Sequence, residues 1–160
     1  MRERFRRFSS LDASARATFA RAAVLLPVIS LSLRLRGFRA TQKSLHKFLC
    51  SGKWAVSSSS QPAAAAHQSS VKQTARMVEA AARNIWRSST CLEKSLAIWW
   101  LLARQGVLSA VRIGARKSRT QFEAHAWVEC HGVALNEPQE PHRHYAAFDA
   151  EFTSVPAEAP

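Results

Sequence analysis

The sequence predicts an α+β fold in which helices come first and a small antiparallel sheet follows. Three observations carry this. Apolar side chains recur at threes and fours from Leu11 to Leu33, from Val71 to Trp86 and from Cys91 to Gln105, the period of a helix with one buried face. From Val107 to Asn136 the chain changes to short runs rich in valine, isoleucine and aromatics, the composition of strands. Between two of those runs stands His131-Gly132, a two-residue hairpin signal.

Each element has its own start and stop. Ser9-Ser10-Leu11-Asp12 caps a first helix running to about Leu35, with Leu11, Ala15, Phe19, Ala22, Leu26, Ile29 and Leu33 on one face. Pro27 inside it predicts a kink or a break, and Gly37 ends the run. Thr41 to Leu49 reads as a short second helix. Residues 1–50 thus form an N-terminal helical segment. Residues 51–70, with Ser57–Ser60, Pro62 and Ala63–Ala66, read as a flexible linker or loop.

The segment 71–153 reads as the core. Its first helix turns Ala75, Val78, Ala82, Ile85 and Trp86 inward. Ser88-Ser89-Thr90 offers capping hydroxyls to a helix from Cys91 to about Gln105, which buries Leu92, Leu96, Ile98 or Trp99, and Leu102. Gly106 suits the left-handed residue after its end. Strands follow at Val107–Gly114, Phe122–Cys130 and Val133–Asn136, with a basic turn at Arg116–Thr120 and a last short strand between Tyr145 and Phe152. Residues 154–160 read as a disordered tail.

At 160 residues and 47% hydrophobic content the chain suits one globular domain. The formal charge of +12 is unevenly spread: residues 1–50 carry eleven basic and two acidic side chains, and residues 131–160 one basic and five acidic. The basic segment suits an acidic protein or peripheral contact with an anionic membrane. Zinc-finger spacing and RNA-recognition aromatics are both lacking, so no nucleic-acid partner is expected. The apolar run Ala22–Leu33 is shorter than the roughly 20 residues of a membrane span. It is followed by Arg34, Arg36 and Arg39 without a small-x-small cleavage site, which favours a buried or interfacial helix over a signal peptide. Three widely spaced cysteines, Cys50, Cys91 and Cys130, argue against a disulfide framework and against structural zinc, and for a reducing, cytoplasmic setting. No metal or cofactor is expected.

The chemistry concentrates at Cys91 and His125. Unpaired N–H groups at a helix start favour thiolate over thiol and can hold an oxyanion. A histidine on a neighbouring strand can serve such a thiol as base. Alternation places His125, Trp127, Glu129 and His131 on one face of their strand and Ala124, Ala126, Val128 and Cys130 on the other, so Cys130 reads as a core residue. A third group to orient the imidazole is Glu137, Asn136 or Asp149.

These residues carry a resemblance. Thr90-Cys91-Leu92, Leu96-Ala97, Leu101-Leu102-Ala103-Arg104-Gln105-Gly106, Val111-Arg112-Ile113-Gly114, Phe122-Glu123-Ala124-His125-Ala126-Trp127-Val128-Glu129 and Gly132 together resemble the leader peptidases of lasso-peptide biosynthesis. These are transglutaminase-like proteins similar to the C-terminal domain of the microcin-processing protein. The likeness extends over about residues 9–150 and is poorest at 51–70.

It implies a transglutaminase-like, papain-like cysteine protease fold with Cys91 as nucleophile and His125 as base. Where the family carries an Asn-Asp pair this chain has Asn136-Glu137, so Glu137 takes the aspartate's place, with Asp149 as the alternative. The implied activity is removal of the leader from a ribosomally made lasso-peptide precursor, before a separate ATP-using lasso cyclase closes the ring. Little room remains for a fused recognition domain, so a separate leader-recognition protein is the expected partner. The alternatives are a non-catalytic scaffold that binds precursor and partners, and another transglutaminase-like acyl transfer.

Overall fold

The computed structural model describes residues 12–51, 64–84, 89–117, 121–136, 145–147 and 152–153. Helices α1 (Ala13–Ser51), α2 (Ala64–Asn84) and α3 (Cys91–Ala103) precede strands β1 (Ala110–Lys117), β2 (Phe122–Cys130), β3 (Val133–Ala134), β4 (Ala146–Ala147) and β5 (Phe152–Thr153). The expected α+β order is thus observed.

Asp12 starts α1 by accepting the N–H of Ala15 at 2.8 Å, and this backbone bond, first among the causes, holds its carboxyl below the usual carboxylate range. The predicted break does not occur at Pro27. Leu26 and Ile29 beside it are fully buried, and their packing carries the helix past the one missing hydrogen bond. The non-helical residue is Gly37, at φ 75°, a conformation glycine adopts without a side-chain clash. The hydroxyl of Thr41 donates to the Gly37 carbonyl at 2.8 Å and lies 2.8 Å from that of Ser32, which pins the bend. The chain then continues to Ser51, so the expected short helix at 41–49 is the second arm of α1.

Helix α2 begins at Ala64 rather than Val71, because the alanines of 64–66 are strong helix formers that need no periodic core contact. Residues 52–63 lie outside the described residues, as do Ile85 and Trp86. Helix α3 ends as expected. Gly106 is at φ 74°, and the N–H of Val107 reaches back to Leu102 at 3.0 Å while that of Gly106 reaches Ala103 at 3.1 Å, the paired bonds of a Schellman ending. That closure uses Val107 and delays β1 to Ala110, three residues later than expected, so Arg116 and Lys117 end a strand instead of opening a turn.

The sheet is antiparallel, in the order β3-β2-β1-β4, with β5 also on β1. His131 (φ 50°) and Gly132 (φ 75°) form the predicted hairpin turn. The last expected strand is two short ones, and both pair with β1. One apolar cluster unites Leu26, Ile29 and Leu45 of α1, Val78 of α2, Leu96, Trp99 and Leu102 of α3 and Val111 and Val128 of the sheet. Helix α3 runs through its middle: Leu96, Ala97, Ile98, Trp99, Leu101 and Leu102 are all buried. The sequence reading gave α3 a single inward face. Packing by α1 and α2 on one side and β2 on the other closes the rest.

Candidate functional site

The site is built on the start of α3. Thr90 caps it with a reciprocal pair of bonds: its hydroxyl accepts the N–H of Glu93 at 3.3 Å, and the Glu93 carboxylate accepts the N–H of Thr90 at 2.9 Å. This capping box fixes the first turn, places a buried carboxylate two residues from Cys91, and leaves the Cys91 thiol partly exposed. A nucleophile needs that combination of a rigid backbone and an accessible sulfur.

One turn further on, Ser95 is fully buried. Its hydroxyl donates to the carbonyl of Ala126 at 3.0 Å and accepts from the Asn136 amide at 3.3 Å. The Asn136 carbonyl oxygen in turn accepts the N–H of Val128 at 2.9 Å. The side chain of Asn136 thus supplies the acceptor that one more paired residue of β3 would have offered, which is why β3 stops at Ala134 instead of reaching Asn136. The same network ties α3 to β2 at the residue after His125. Sequence reading passed over Ser95, since a serine within an apolar helix sends no local signal. It named Asn136 among the groups that could orient the imidazole, whereas the amide is engaged with Ser95 and Val128.

Chain continuity sets the direction of α3. Its C-terminus leads through Val107–Ser109 into Ala110, which pairs with Glu129, and the Cys130 thiol donates to the Leu108 carbonyl at 3.4 Å. The start of α3, with Cys91, therefore lies toward the other end of β2, where His125 stands. His125 is half-buried and pairs across the sheet with Gly114. Its ring stacks with Trp127 at 6.2 Å between centroids and meets Tyr145 at a tilt, 5.3 Å away. Trp127 is wholly buried although it belongs to the face opposite Val128 and Cys130. Tyr145 covers it, and its indole N–H donates to Glu129 at 2.8 Å, which also accepts from Arg112 at 3.1 Å.

Gly114 permits that cover. A Cβ there would sit 3.0 Å from the Ala146 carbonyl oxygen, from the Trp127 ring and from the Tyr145 Cβ. The sequence contained it, in Val111-Arg112-Ile113-Gly114, but nothing local told that an aromatic ring from 31 residues later would lie on it.

Cys91 at the start of α3 and His125 on β2 lie toward the same end of the α3–β2 contact. The imidazole occupies the Trp127 face, and α3 packs on the Val128 face. Glu137 and Asp149 lie outside the described residues. Cys130, 6% exposed, sits in the core as expected, where burial pushes its thiol up from the ordinary range. Among the described residues no group of three or more His, Cys, Asp or Glu side chains is placed to hold a metal ion.

Comparison with known proteins adds one match. The family model of the transglutaminase-like superfamily matches residues 32–148, which takes in the second arm of α1, both site-bearing elements and the Tyr145 segment. No curated protein and no solved structure matches the chain. The match spans most of the chain and includes Cys91 on a capped helix start and His125 on the adjoining strand: the chain belongs to the transglutaminase-like superfamily, which includes cysteine peptidases and acyl transferases.

Proposed function

We propose that this protein is a cysteine peptidase that removes the leader from a ribosomally synthesised lasso-peptide precursor. Cys91 attacks the leader–core amide, and N–H groups at the start of α3 hold the oxyanion. His125 takes the thiol proton and returns it to the departing amine, and Glu137 orients the imidazole, with Asp149 as the alternative. The observation that carries the reading is the capped, partly exposed Cys91 on a helix tied through Ser95 to the residue beside His125. The sequence likeness to leader peptidases supplies the substrate class. A separate recognition protein would present the leader, and a lasso cyclase would take the freed core.

The test is mass spectrometry of the precursor incubated with this protein and its recognition partner. Wild type should release a leader fragment, and Cys91→Ala should release none while melting at the wild-type temperature. Full cleavage by Cys91→Ala would refute the proposal. Covalent joining of the core to an added amine would assign acyl transfer in place of hydrolysis. A non-catalytic scaffold is the second reading, favoured by the placement of the imidazole on the Trp127 face of β2 while α3 packs on the Val128 face. It predicts precursor binding without a product from either protein.

A further inference from the structure

We propose that the outward face of α1 is a docking surface for an anionic lipid bilayer. Val24, Val28, Leu31 and Leu35 are 68%, 56%, 58% and 73% exposed. At 100° per residue they fall within an arc of about 60°, opposite the buried Ala22, Leu26 and Ile29. A surface helix of a water-soluble domain turns polar residues outward. This one is apolar on the face it shows to water as well as on the face it gives to the core, and a contiguous exposed patch of large aliphatics marks an interaction site.

The charges beside the patch select its partner. Ala13–Ser51 contains Arg16, Arg21, Arg34, Arg36, Arg39, Lys43 and Lys47 and neither Asp nor Glu. Arg21 and Arg34 flank the aliphatic arc on its two sides, where long side chains can extend to lipid phosphates while the aliphatics enter the acyl boundary. A second copy of the chain would oppose these cations with the same cations. By length and composition α1 is also long and apolar enough to cross a bilayer, but its charges and its packing argue against spanning. The charge-free run Ala22–Leu33 reaches only about 18 Å at the helical rise, short of the roughly 30 Å hydrocarbon core, and its inner side is committed to the protein core. Lying in the interface uses only the side that the fold leaves bare.

Co-sedimentation of the full chain with phosphatidylcholine vesicles, with and without phosphatidylglycerol, tests this. The wild type should pellet only with the anionic vesicles, and less as salt rises. Arg34→Gln/Arg36→Gln should weaken binding by at least about tenfold. Val28→Ser/Leu31→Ser/Leu35→Ser, changed only at exposed positions and checked by circular dichroism, should abolish it; Leu31→Ser alone should shift it in the same direction. Equal binding to neutral vesicles, no binding of the wild type, or full binding by the serine variant would overturn the proposal. So would a wild-type dimer that the serine variant dissolves, which would assign the face to a second copy.

Discussion

The two sides of β2 treat ionisable groups in opposite ways. On the side facing the helices, burial favours neutral forms: the Cys130 thiol is pushed up, and His46, whose ring meets Trp99 edge-on at 5.0 Å, is pushed down from its usual value by desolvation. On the other side, charges are paired. Glu129 accepts from Arg112 and Trp127, and Glu123 holds Arg116 further into its charged form, mainly through their hydrogen bond. His125 belongs to this second side. One strand therefore separates a buried core, which holds Cys130, from a polar surface of paired charges, which carries His125.

The largest effect is expected at Trp127, a large side chain wholly buried on the polar side. Trp127→Ala should cost about 3–5 kcal/mol, as for other large-to-small changes at buried aromatics, read by chemical denaturation. It should also remove one of the two rings that Tyr145 packs against. A loss below about 1 kcal/mol would mean that the Trp127 face is not a packed layer. Gly114→Ala sharpens the comparison with a smaller change. The added methyl meets three atoms at 3.0 Å, and overpacking of this kind costs about 1–3 kcal/mol. Tyr145 should move off His125, so precursor cleavage should fall by more than the stability loss explains. Unchanged cleavage would show that the Tyr145 contact has no part in holding the imidazole.

The smallest effect belongs to the dry side. His46 has a folded-state pKa below its unfolded value, so the unfolded chain binds more protons. Its contribution to stability is complete above about pH 6.5 and declines as pH falls through that value. Denaturation midpoints should drop between neutral and mildly acidic pH. His46→Phe, which keeps a ring against Trp99, should flatten that part of the profile. An equally steep profile in the variant would place the titration elsewhere.

Much of the frame was legible because it is written locally. The cap at Thr90, the left-handed Gly106, the bounds of β2 and the His131-Gly132 turn each follow from a residue and its near neighbours. The alternation of β2 separated His125 from Cys130 correctly. What escaped is what distance makes. Ser95 and Asn136 lie 41 residues apart, and neither hints at the other. The alternation puts Trp127 on the face of His125 and Glu129 but does not show that Tyr145 covers it. Pro27 reads as a kink or a break, yet the helix continues through it and the non-helical residue is Gly37. The all-round burial of α3 follows from elements on both its sides, which a one-helix pattern does not contain.

The proposed activity requires that His125 activate the Cys91 thiol. Alkylation by iodoacetamide near neutral pH, followed residue by residue with peptide mass mapping, tests this without any substrate. Cys91 should react well ahead of Cys130 in the wild type, and His125→Ala should slow Cys91 while leaving Cys130 unchanged. Cys91 reacting at the same rate with and without His125 would contradict the pairing and leave an exposed thiol on a scaffold.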